Sequence, residues 1–323
     1  MTKDFVLITD DNYCLPTIVC INSIINSLGV SYQGITIHVC TFGLKSDNES
    51  KITNLSTGSV TVRVDLFDIN KYEGLISRVF QKSHVTPTAL IKFELPNYFS
   101  DLNSLLYLDS DIIVKGDLSA LLEMDISDYY LAASYELWKF VLAQKYTLTN
   151  RVGDFFFNSG VMLLNLRLMR EANLSEKLWD YKLNKAKTKL MDQESLNAVC
   201  IPNVKPLSIV WNFNPIFLNK VYLKDIEKVY HAMYRSVFEL ENDVRIVHYV
   251  GKFDKPWVYK HARMRSHWDN SYNQVFPNHT LDLQEDVATN KSHTFTDRIK
   301  QYGFRGMLSF IIYSIKLKIR SIC

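Results

Sequence analysis

Apolar runs alternate with helix-like spacing through the first third of the chain, and this alternation restricts the possible folds more than any other feature. The apolar runs predict four buried strands, at 5–9, 35–41, 59–66 and 105–108. Apolar residues at helical spacing predict three helices between them, at 15–28, 45–55 and 88–98. Strands and helices in this order predict an α/β protein with a doubly wound, mostly parallel sheet. Such sheets bind their ligands beyond the carboxyl ends of the strands.

The second half of the chain is less regular. It predicts short strands and loops over 131–168, a helix over 171–185, the interior of a short helix at 195–199, and a last strand over 245–249. The composition changes near Asn278. We therefore expect a main domain over residues 1–277 and a C-terminal extension over 278–323.

Composition favours a globular protein of the cytoplasm. Hydrophobic residues make up 47% of the chain and charged residues 22%, which suits a protein with a large core rather than a disordered or membrane-spanning one. Five cysteines without a C-x-x-C pair disfavour both a disulfide framework and a zinc ribbon. No signal peptide is expected, because the first strand-like run begins at Phe5.

Positive charge is concentrated at the C-terminus. The whole chain carries +3 and residues 298–323 carry +6, so residues 1–297 carry −3 and no nucleic-acid partner is expected. The apolar run 307–315 precedes Lys316, Lys318 and Arg320, but it is shorter than the ~20 residues that span a bilayer. A helical tail lying on the anionic inner face of the cytoplasmic membrane fits this pattern. A C-terminal helix packed on the main domain is the alternative.

Two carboxylates directly follow the predicted strand 105–108. Asp109 and Asp111 are two residues apart on an extended segment, so their side chains project to the same side. They would repel each other unless a hard cation lay between them, and a divalent metal that bridges a diphosphate suits that position. A pair of solvated turn carboxylates is the alternative, although the preceding apolar strand favours the metal.

A second candidate segment follows the last predicted strand. His248 beside two carboxylates would favour manganese or another transition metal over magnesium. Lys255 could neutralise a phosphate, and Gly251 lets the backbone approach a ligand closely. Taken alone, a core histidine and a surface lysine explain this segment equally simply.

Two polar segments could contact a sugar. Asn158 stands just before an apolar strand and could hydrogen-bond sugar hydroxyls, although a turn is an equally good interpretation. Asp192 and Gln193 open a short helix, where polar ligands are favoured. An acidic N-cap is the simpler interpretation of that pair.

Together these segments resemble the family 8 retaining glycosyltransferases, especially the bacterial galactosyl- and glucosyltransferases that extend lipopolysaccharide or lipooligosaccharide cores. Four blocks in the same order carry the resemblance over about residues 5–260, namely 10–13, 107–111, 157–165 and 248–257. The segments 192–193 and 211–214 fall at the expected places between the last two blocks. The resemblance implies a GT-A fold with a Rossmann-like sheet. It also implies UDP-galactose or UDP-glucose as donor and a saccharide or glycolipid acceptor in cell-surface glycan synthesis.

The resemblance also assigns roles by position. Asp109, Asp111 and His248 would bind Mn²⁺ (or Mg²⁺). Contacts with the nucleotide sugar are implied for Thr9, Asp10, Asn12, Tyr13, His84, Val85, Lys92, Asp109, Ser110, Asn158, Asp192, Gly251 and Lys255. Among these, Lys92 stands where the bacterial galactosyltransferases usually have arginine, so the charge is kept and the bidentate fork is lost. The loop before Lys255 is one residue longer than in many bacterial members.

The catalytic pair implied by the resemblance is Gln193 with Asp192. Retention by double displacement needs a carboxylate nucleophile near the anomeric carbon, and the amide oxygen of Gln193 is a poor one. We therefore expect substitution on the front face of the sugar, with Gln193 stabilising positive charge at the anomeric carbon.

Three other functions are compatible with such a sheet. A nucleotidyltransferase usually has a glycine-rich basic loop after the first strand, where this chain has residues 10–13 instead. A hydrolase remains open, because water can replace any acceptor. A catalytically inactive sugar-nucleotide-binding or scaffold protein would be expected to lack a metal ligand. Acceptor contacts are expected from the aromatic region 211–234.

Overall fold

The computed structural model describes residues 2–28, 32–74, 76, 87–137, 156–186, 192–251 and 254–285. The strands are β1 (Asp4–Ile8), β2 (Ile35–Thr41), β3 (Val60–Leu66), β4 (Ser104–Leu108), β5 (Ile112–Val114), β6 (Leu131–Tyr135), β7 (Phe157–Asn165), β8 (Val204–Leu207) and β9 (Ile246–His248). The α-helices are α1 (Cys14–Ser27), α2 (Ser46–Thr53), α3 (Leu95–Tyr98), α4 (Ser119–Leu122), α5 (Leu166–Glu171), α6 (Leu174–Asn184), α7 (Gln193–Cys200), α8 (Lys220–Tyr230), α9 (Val237–Asp243) and α10 (Arg265–Val275). Short 3₁₀ helices cover Asp11–Tyr13, Ile69–Tyr72, Pro87–Glu94, Ile209–Trp211 and Pro215–Phe217.

Within these residues, seven strands form one sheet in the order β3-β2-β1-β4-β7-β6-β8. The strands β3, β2, β1 and β4 are parallel, and β7 runs antiparallel to both β4 and β6. The predicted α/β class with a mostly parallel sheet is therefore confirmed. A small antiparallel pair, β5 with β9, lies beyond the end of β4.

Both faces of the central strands β1, β2, β4 and β7 are buried, as the apolar strands predict, whereas the edge strand β3 exposes Thr61 and Arg63. Along β1, Phe5 and Leu7 pack into one core with α1, whereas Val6 packs into the opposite core. A third core, around β9 and α10, contains Val247 and Trp268. The cores on both faces fix the carboxyl end of β4.

The helical boundaries differ from the sequence prediction at two places. The helix predicted over 171–185 is α6, which begins only at Leu174 because Asn173 before it adopts φ 53° and interrupts the helical path from α5. The helix predicted over 88–98 begins as the 3₁₀ helix Pro87–Glu94 and becomes α-helical only at Leu95. Both differences concern local backbone geometry, whereas α5, α8, α9 and α10 were not predicted from the sequence.

Residues 278–285 contact the main domain. The backbone N–H of Lys260 donates to the carbonyl of Gln284 at 3.1 Å, and Gln284 bridges to Tyr259. The predicted membrane tail lies outside the described residues. Among the helices that the structure describes, none has the length and apolar character needed to cross a membrane.

Candidate active site

Two carboxylates and an imidazole meet beyond the carboxyl end of β4. The Nε2 atom of His248 lies 3.1 Å from Oδ1 of Asp111 and 3.6 Å from Oδ2 of Asp109. The three ligand atoms that these residues offer lie within 4.8 Å of one another. Two carboxylate oxygens and one imidazole nitrogen are a donor set that suits Mn²⁺.

Strand pairing brings these three residues together. Ile112 of β5 pairs with His248 of β9, and the backbone N–H of Tyr249 donates to the carbonyl of Asp111 at 3.0 Å. This pairing places the imidazole beside the two carboxylates although 137 positions separate Asp111 from His248. The short β5–β9 pair therefore builds the candidate metal site.

Gly160 on β7 forms the floor of the cluster. The backbone N–H of Asp109 donates to the carbonyl of Gly160 at 2.8 Å, so these two backbone segments lie close together. A Cβ atom at position 160 would lie 2.1 Å from Cε1 of His248 and 2.9 Å from Oδ2 of Asp109. Any side chain here would displace a predicted ligand, which explains the glycine.

Two lysines neutralise the carboxylates. The Nζ atom of buried Lys92 lies 3.0 Å from Oδ1 of Asp109, and the Nζ atom of Lys255 contacts Oδ2 of Asp111. Burial alone would raise the pKa of Asp111, but Lys255 and His248 outweigh it and hold that pKa well below its usual value. The cluster therefore presents ionised oxygens that could bind a cation, and the ammonium groups of Lys92 and Lys255 beside them could bind a phosphate. The residues fit a divalent metal.

Tyr107 was not among the predicted site residues. Its hydroxyl donates to Oδ1 of Asp109 at 2.6 Å. Burial, followed by the charge of Asp109, raises the pKa of Tyr107 well above its usual value, so the hydroxyl keeps its proton. The signal was present in the sequence, because Tyr107 stands two residues before Asp109 on the strand and points to the same side.

The residues expected near the donor sugar lie next to the carboxylates. Asp192 is almost fully buried, and its Oδ2 atom accepts from Nζ of Lys92 at 2.6 Å and from Oγ of Ser159 at 2.8 Å. The side-chain oxygen of Gln193 accepts from the backbone N–H of Ser159 at 3.2 Å. Lys92 thus connects the metal cluster to Asp192. The chain offered no local signal for this contact or for Ser159.

The predicted nucleotide end lies beyond β1. Asp10 accepts hydrogen bonds from the backbone N–H groups of Asn12 and Tyr13, at 2.9 and 3.1 Å, and so shapes this turn. The half-exposed ring of Tyr13 lies edge-on to Trp257, with a centroid distance of 6.1 Å, and Nζ of Lys255 lies 6.0 Å from its centroid. Tyr13 therefore lies at the same site as Lys255.

The remaining predicted contacts differ in what the structure shows. The hydroxyls of Thr9 and Ser110 are used inside the fold, with Thr9 bonded to Thr17 at 2.7 Å and Ser110 donating to the carbonyl of Ile8 at 2.9 Å. Gly251 has φ 92°, a conformation that favours glycine. His84 and Val85 lie outside the described residues.

A pocket adjoins the cluster on the side of Asn158. Nδ2 of Asn158 donates to Oε2 of Glu136 at 2.8 Å. The pocket is partly open to solvent, and its polar and aromatic lining includes Tyr135, Glu136, Asn158, Asn212, Phe217 and Tyr230. Three of these six residues belong to the aromatic region 211–234. Glu136 and its contact with Asn158 were missed in the sequence, since 22 positions separate them.

Comparison with known proteins gives a family match over most of the chain. The sequence profile described as Glycosyl transferase family 8 matches residues 4–261. General stress protein A of Bacillus subtilis is 27% identical over 69% of this chain and 76% of its own length. A lipopolysaccharide 1,2-glucosyltransferase of Escherichia coli is 26% identical over 95% of this chain and 88% of its own length.

A similar fold is found among solved structures. The galactosyltransferase LgtC, solved with donor and acceptor sugar analogues, superposes with a TM-score of 0.66 and 24% identity. The match covers 84% of this chain and 95% of LgtC. At this identity, the likeness demonstrates a shared fold.

Proposed function

Because the chain belongs to glycosyl transferase family 8, we propose that it transfers galactose or glucose from a UDP-sugar to a saccharide acceptor, with retention at the anomeric carbon. The observation that carries the proposal is the cluster of Asp109, Asp111 and His248 beyond β4, within a family match that spans residues 4–261. A lipopolysaccharide or another cell-surface glycan is the proposed acceptor, since one relative is named for lipopolysaccharide glucosylation.

We assign the metal position to Asp109, Asp111 and His248. A divalent ion bound there, Mn²⁺ in preference to Mg²⁺, would supply Lewis-acid stabilisation of the leaving diphosphate. Lys255 is placed to hold a phosphate oxygen, since its Nζ atom already contacts the carboxylate of Asp111. Its partner Tyr13 offers a ring face to the uracil, with Asp10 and Asn12 beside the ribose.

Asp192 is poorly suited to form a covalent intermediate. Its Oδ2 atom is held by both Lys92 and Ser159, and a carboxylate in a buried ion pair is a weakened nucleophile. This supports substitution on one face of the sugar. The bond from the anomeric carbon to the diphosphate breaks, the acceptor oxygen forms the new bond on the same face, and a diphosphate oxygen takes the acceptor proton.

Gln193 is assigned a stabilising role in that reaction. The backbone N–H of Ser159 donates to its side-chain oxygen and fixes the amide beside Asp192. An amide dipole held in this way can stabilise the positive charge that develops at the anomeric carbon.

We place the acceptor in the pocket beside Asn158. Glu136 offers a carboxylate to sugar hydroxyls, and Tyr230 is packed against Tyr135 with a centroid distance of 5.6 Å, which gives the pocket an aromatic wall. A glycolipid acceptor also fits the basic tail. From the glycolipid acceptor and the basic tail together, we propose that the protein works on the inner face of the cytoplasmic membrane.

The test is calorimetric titration of the full chain with UDP-galactose and UDP-glucose, with and without Mn²⁺, beside Asp111→Asn. We expect metal-dependent binding that the variant loses, and the tighter sugar identifies the donor. Nuclear magnetic resonance of the product reports whether the anomeric configuration is retained. Absence of binding to either sugar under every condition, or an inverted product, would overturn the proposal.

A further inference from the structure

The nitrogen of His248 that faces away from the carboxylates has a single side-chain partner among the described residues. His248 is 3% exposed, and its Nδ1 atom lies 2.8 Å from Oδ1 of Asn212. The loop that carries Asn212 is fixed to β9, because the backbone N–H of His248 donates to the carbonyl of Phe213 at 2.9 Å. Asn212 is itself almost fully buried. The imidazole and the amide are therefore held in fixed register.

The orientation of the side-chain amides of Asn158 and Asn212 follows from neighbouring groups that can only donate or only accept a hydrogen bond. The backbone N–H of Gly160 is 2.9 Å from one side-chain atom of Asn158, and that atom must be the oxygen because an N–H can only donate. The other end of Asn158, 2.8 Å from the Glu136 carboxylate, must then be the donating nitrogen. Two independent contacts thus agree on the orientation of Asn158.

Asn158 in turn orients Asn212. Its oxygen lies 2.9 Å from a side-chain atom of Asn212, which must be the nitrogen because an oxygen needs a donor. The atom of Asn212 that faces His248 is therefore the oxygen, and Nδ1 of His248 must carry a proton. In the neutral imidazole this leaves the lone pair on Nε2, the atom that faces Asp109 and Asp111.

From this sequence of contacts we infer that Asn212 is a positioning residue, which holds His248 in the tautomer that can bind a metal through Nε2. Asn158, oriented by Gly160 and Glu136, fixes Asn212 in turn. The inference rests on the proposed function only in taking Asp109, Asp111 and His248 as the metal ligands. Residues behind a histidine ligand determine which of its nitrogens is free, and their loss typically lowers metal affinity by about 10- to 100-fold.

The first test measures Mn²⁺ binding by calorimetry in the presence of UDP, with the full chain and four variants, one of which is His248→Gln. We expect Asn212→Ala to weaken binding by about 10- to 100-fold. Asn212→Asp should bind more tightly than Asn212→Ala, because a carboxylate oxygen still accepts from Nδ1. The matched control is Asn165→Ala, which removes a buried asparagine at the far end of β7, one whose side-chain oxygen accepts from the N–H of Leu168 at 3.0 Å. That control should bind Mn²⁺ like the unaltered chain.

The second test reads the tautomer directly. In protein labelled with ¹⁵N-histidine and loaded with Zn²⁺ as a diamagnetic probe, the His248 signals are assigned by their loss in His248→Gln. We expect a protonated Nδ1 and a metal-bound Nε2 in the unaltered chain. This measurement does not depend on the stability of any Asn212 variant.

Each outcome bears on one claim. If the unaltered chain binds Mn²⁺ and His248→Gln does not, but Asn212→Ala binds as tightly as the unaltered chain, the role of Asn212 is refuted and the metal site remains. A protonated Nε2 in the unaltered chain refutes it as well. If the unaltered chain binds no Mn²⁺ with UDP, the proposed metal site fails, and the inference fails with it.

Discussion

At the scale of single residues, Gly160 has the least room for a side chain among the glycines that the structure describes. We expect Gly160→Ala to lower Mn²⁺ affinity at least about tenfold, because the new methyl group would overlap His248 and force a ligand to move. Calorimetry in the presence of UDP measures the effect. Gly58→Ala is the control, since a Cβ there meets no atom within 4 Å. Equal affinities of the two variants would contradict the role assigned to Gly160.

Lys92 pairs with two carboxylates at once, those of buried Asp192 and half-buried Asp109. Replacing it with methionine keeps the apolar stem and leaves Asp109 and Asp192 without their cation, so we expect the free energy of unfolding to fall by about 3–5 kcal/mol. Urea unfolding in the presence of a chelator measures this change. Lys51→Met breaks an exposed pair with Asp47 and should leave the free energy of unfolding nearly unchanged. A loss for Lys92→Met as small as that of the control would show that the buried pair contributes little.

The sequence predicts some site residues and misses others for a physical reason. Asp109 and Asp111 could be identified because a carboxylate pair after an apolar strand is a local pattern. The contact between Lys92 and Asp192 spans 100 positions, and that between Asn212 and His248 spans 36. Only the packing of distant elements creates such contacts, so no local pattern reports them.

At the scale of elements, His38 connects the three parallel strands β1, β2 and β3. Its Nδ1 atom lies 2.8 Å from Asp65 on β3, and its Nε2 atom lies 3.4 Å from Asp4 on β1. Burial lowers the pKa of His38, but its bonds to Asp4 and Asp65 outweigh burial and leave the pKa raised above 6.5. For Asp65, burial acts in the opposite direction and raises the pKa, but the bonds to His38 and the charge of Arg63 outweigh burial and leave the pKa of Asp65 below 3.8.

These shifts define a pH window. A raised histidine pKa gives stability that is complete below pH 6.5 and is lost as the pH rises through the folded value. A lowered aspartate pKa gives stability that is complete above pH 3.8 and is lost as the pH falls. We therefore expect the difference in Tm between the unaltered chain and His38→Gln to be greatest between about pH 4 and 6.5 and to shrink toward pH 9.

Thermal unfolding across this pH range measures that difference. Arg63 and the hydroxyl of Tyr98 on α3 also contact Asp65. Both residues are kept in the two proteins, so that the comparison changes only His38. His261→Gln, at an exposed histidine, is the control and should show no such maximum. A difference for His38→Gln that is constant with pH would contradict the assignment.

Element type was predictable where apolar periodicity is strong, and so was the parallel direction of the first four strands, whereas the direction of β7 was not. The four strands and the first helix follow directly from their apolar patterns. The antiparallel direction of β7 could not be predicted, because a strand buried on both faces has the same composition in either direction. The break at Asn173 depends on one residue in the left-handed region, which hydrophobic spacing does not reveal.

At the scale of the whole molecule, the site joins two parts of the chain. The N-terminal half of the chain supplies Tyr13, Asp109 and Asp111, and the C-terminal half supplies His248 and Lys255, which pack against them through the separate β5–β9 pair. The metal position is therefore expected only when both halves are folded. These residues come together only through the pairing of strands that are distant in the sequence, and no short segment encodes that pairing.

The basic C-terminal tail, which lies outside the described residues, is proposed to bind the membrane surface. If residues 307–320 dock on an anionic surface, replacing Lys316, Lys318 and Arg320 together with glutamine should weaken binding to vesicles by about 3 kcal/mol, which is on the order of 100-fold. Co-sedimentation with anionic vesicles, repeated as the salt concentration rises, measures the binding. Neutral vesicles are the control surface, and UDP binding should stay unchanged because the donor site lies within the family match at 4–261. Equal sedimentation of the glutamine variant and the unaltered chain would instead favour a tail that packs on the protein.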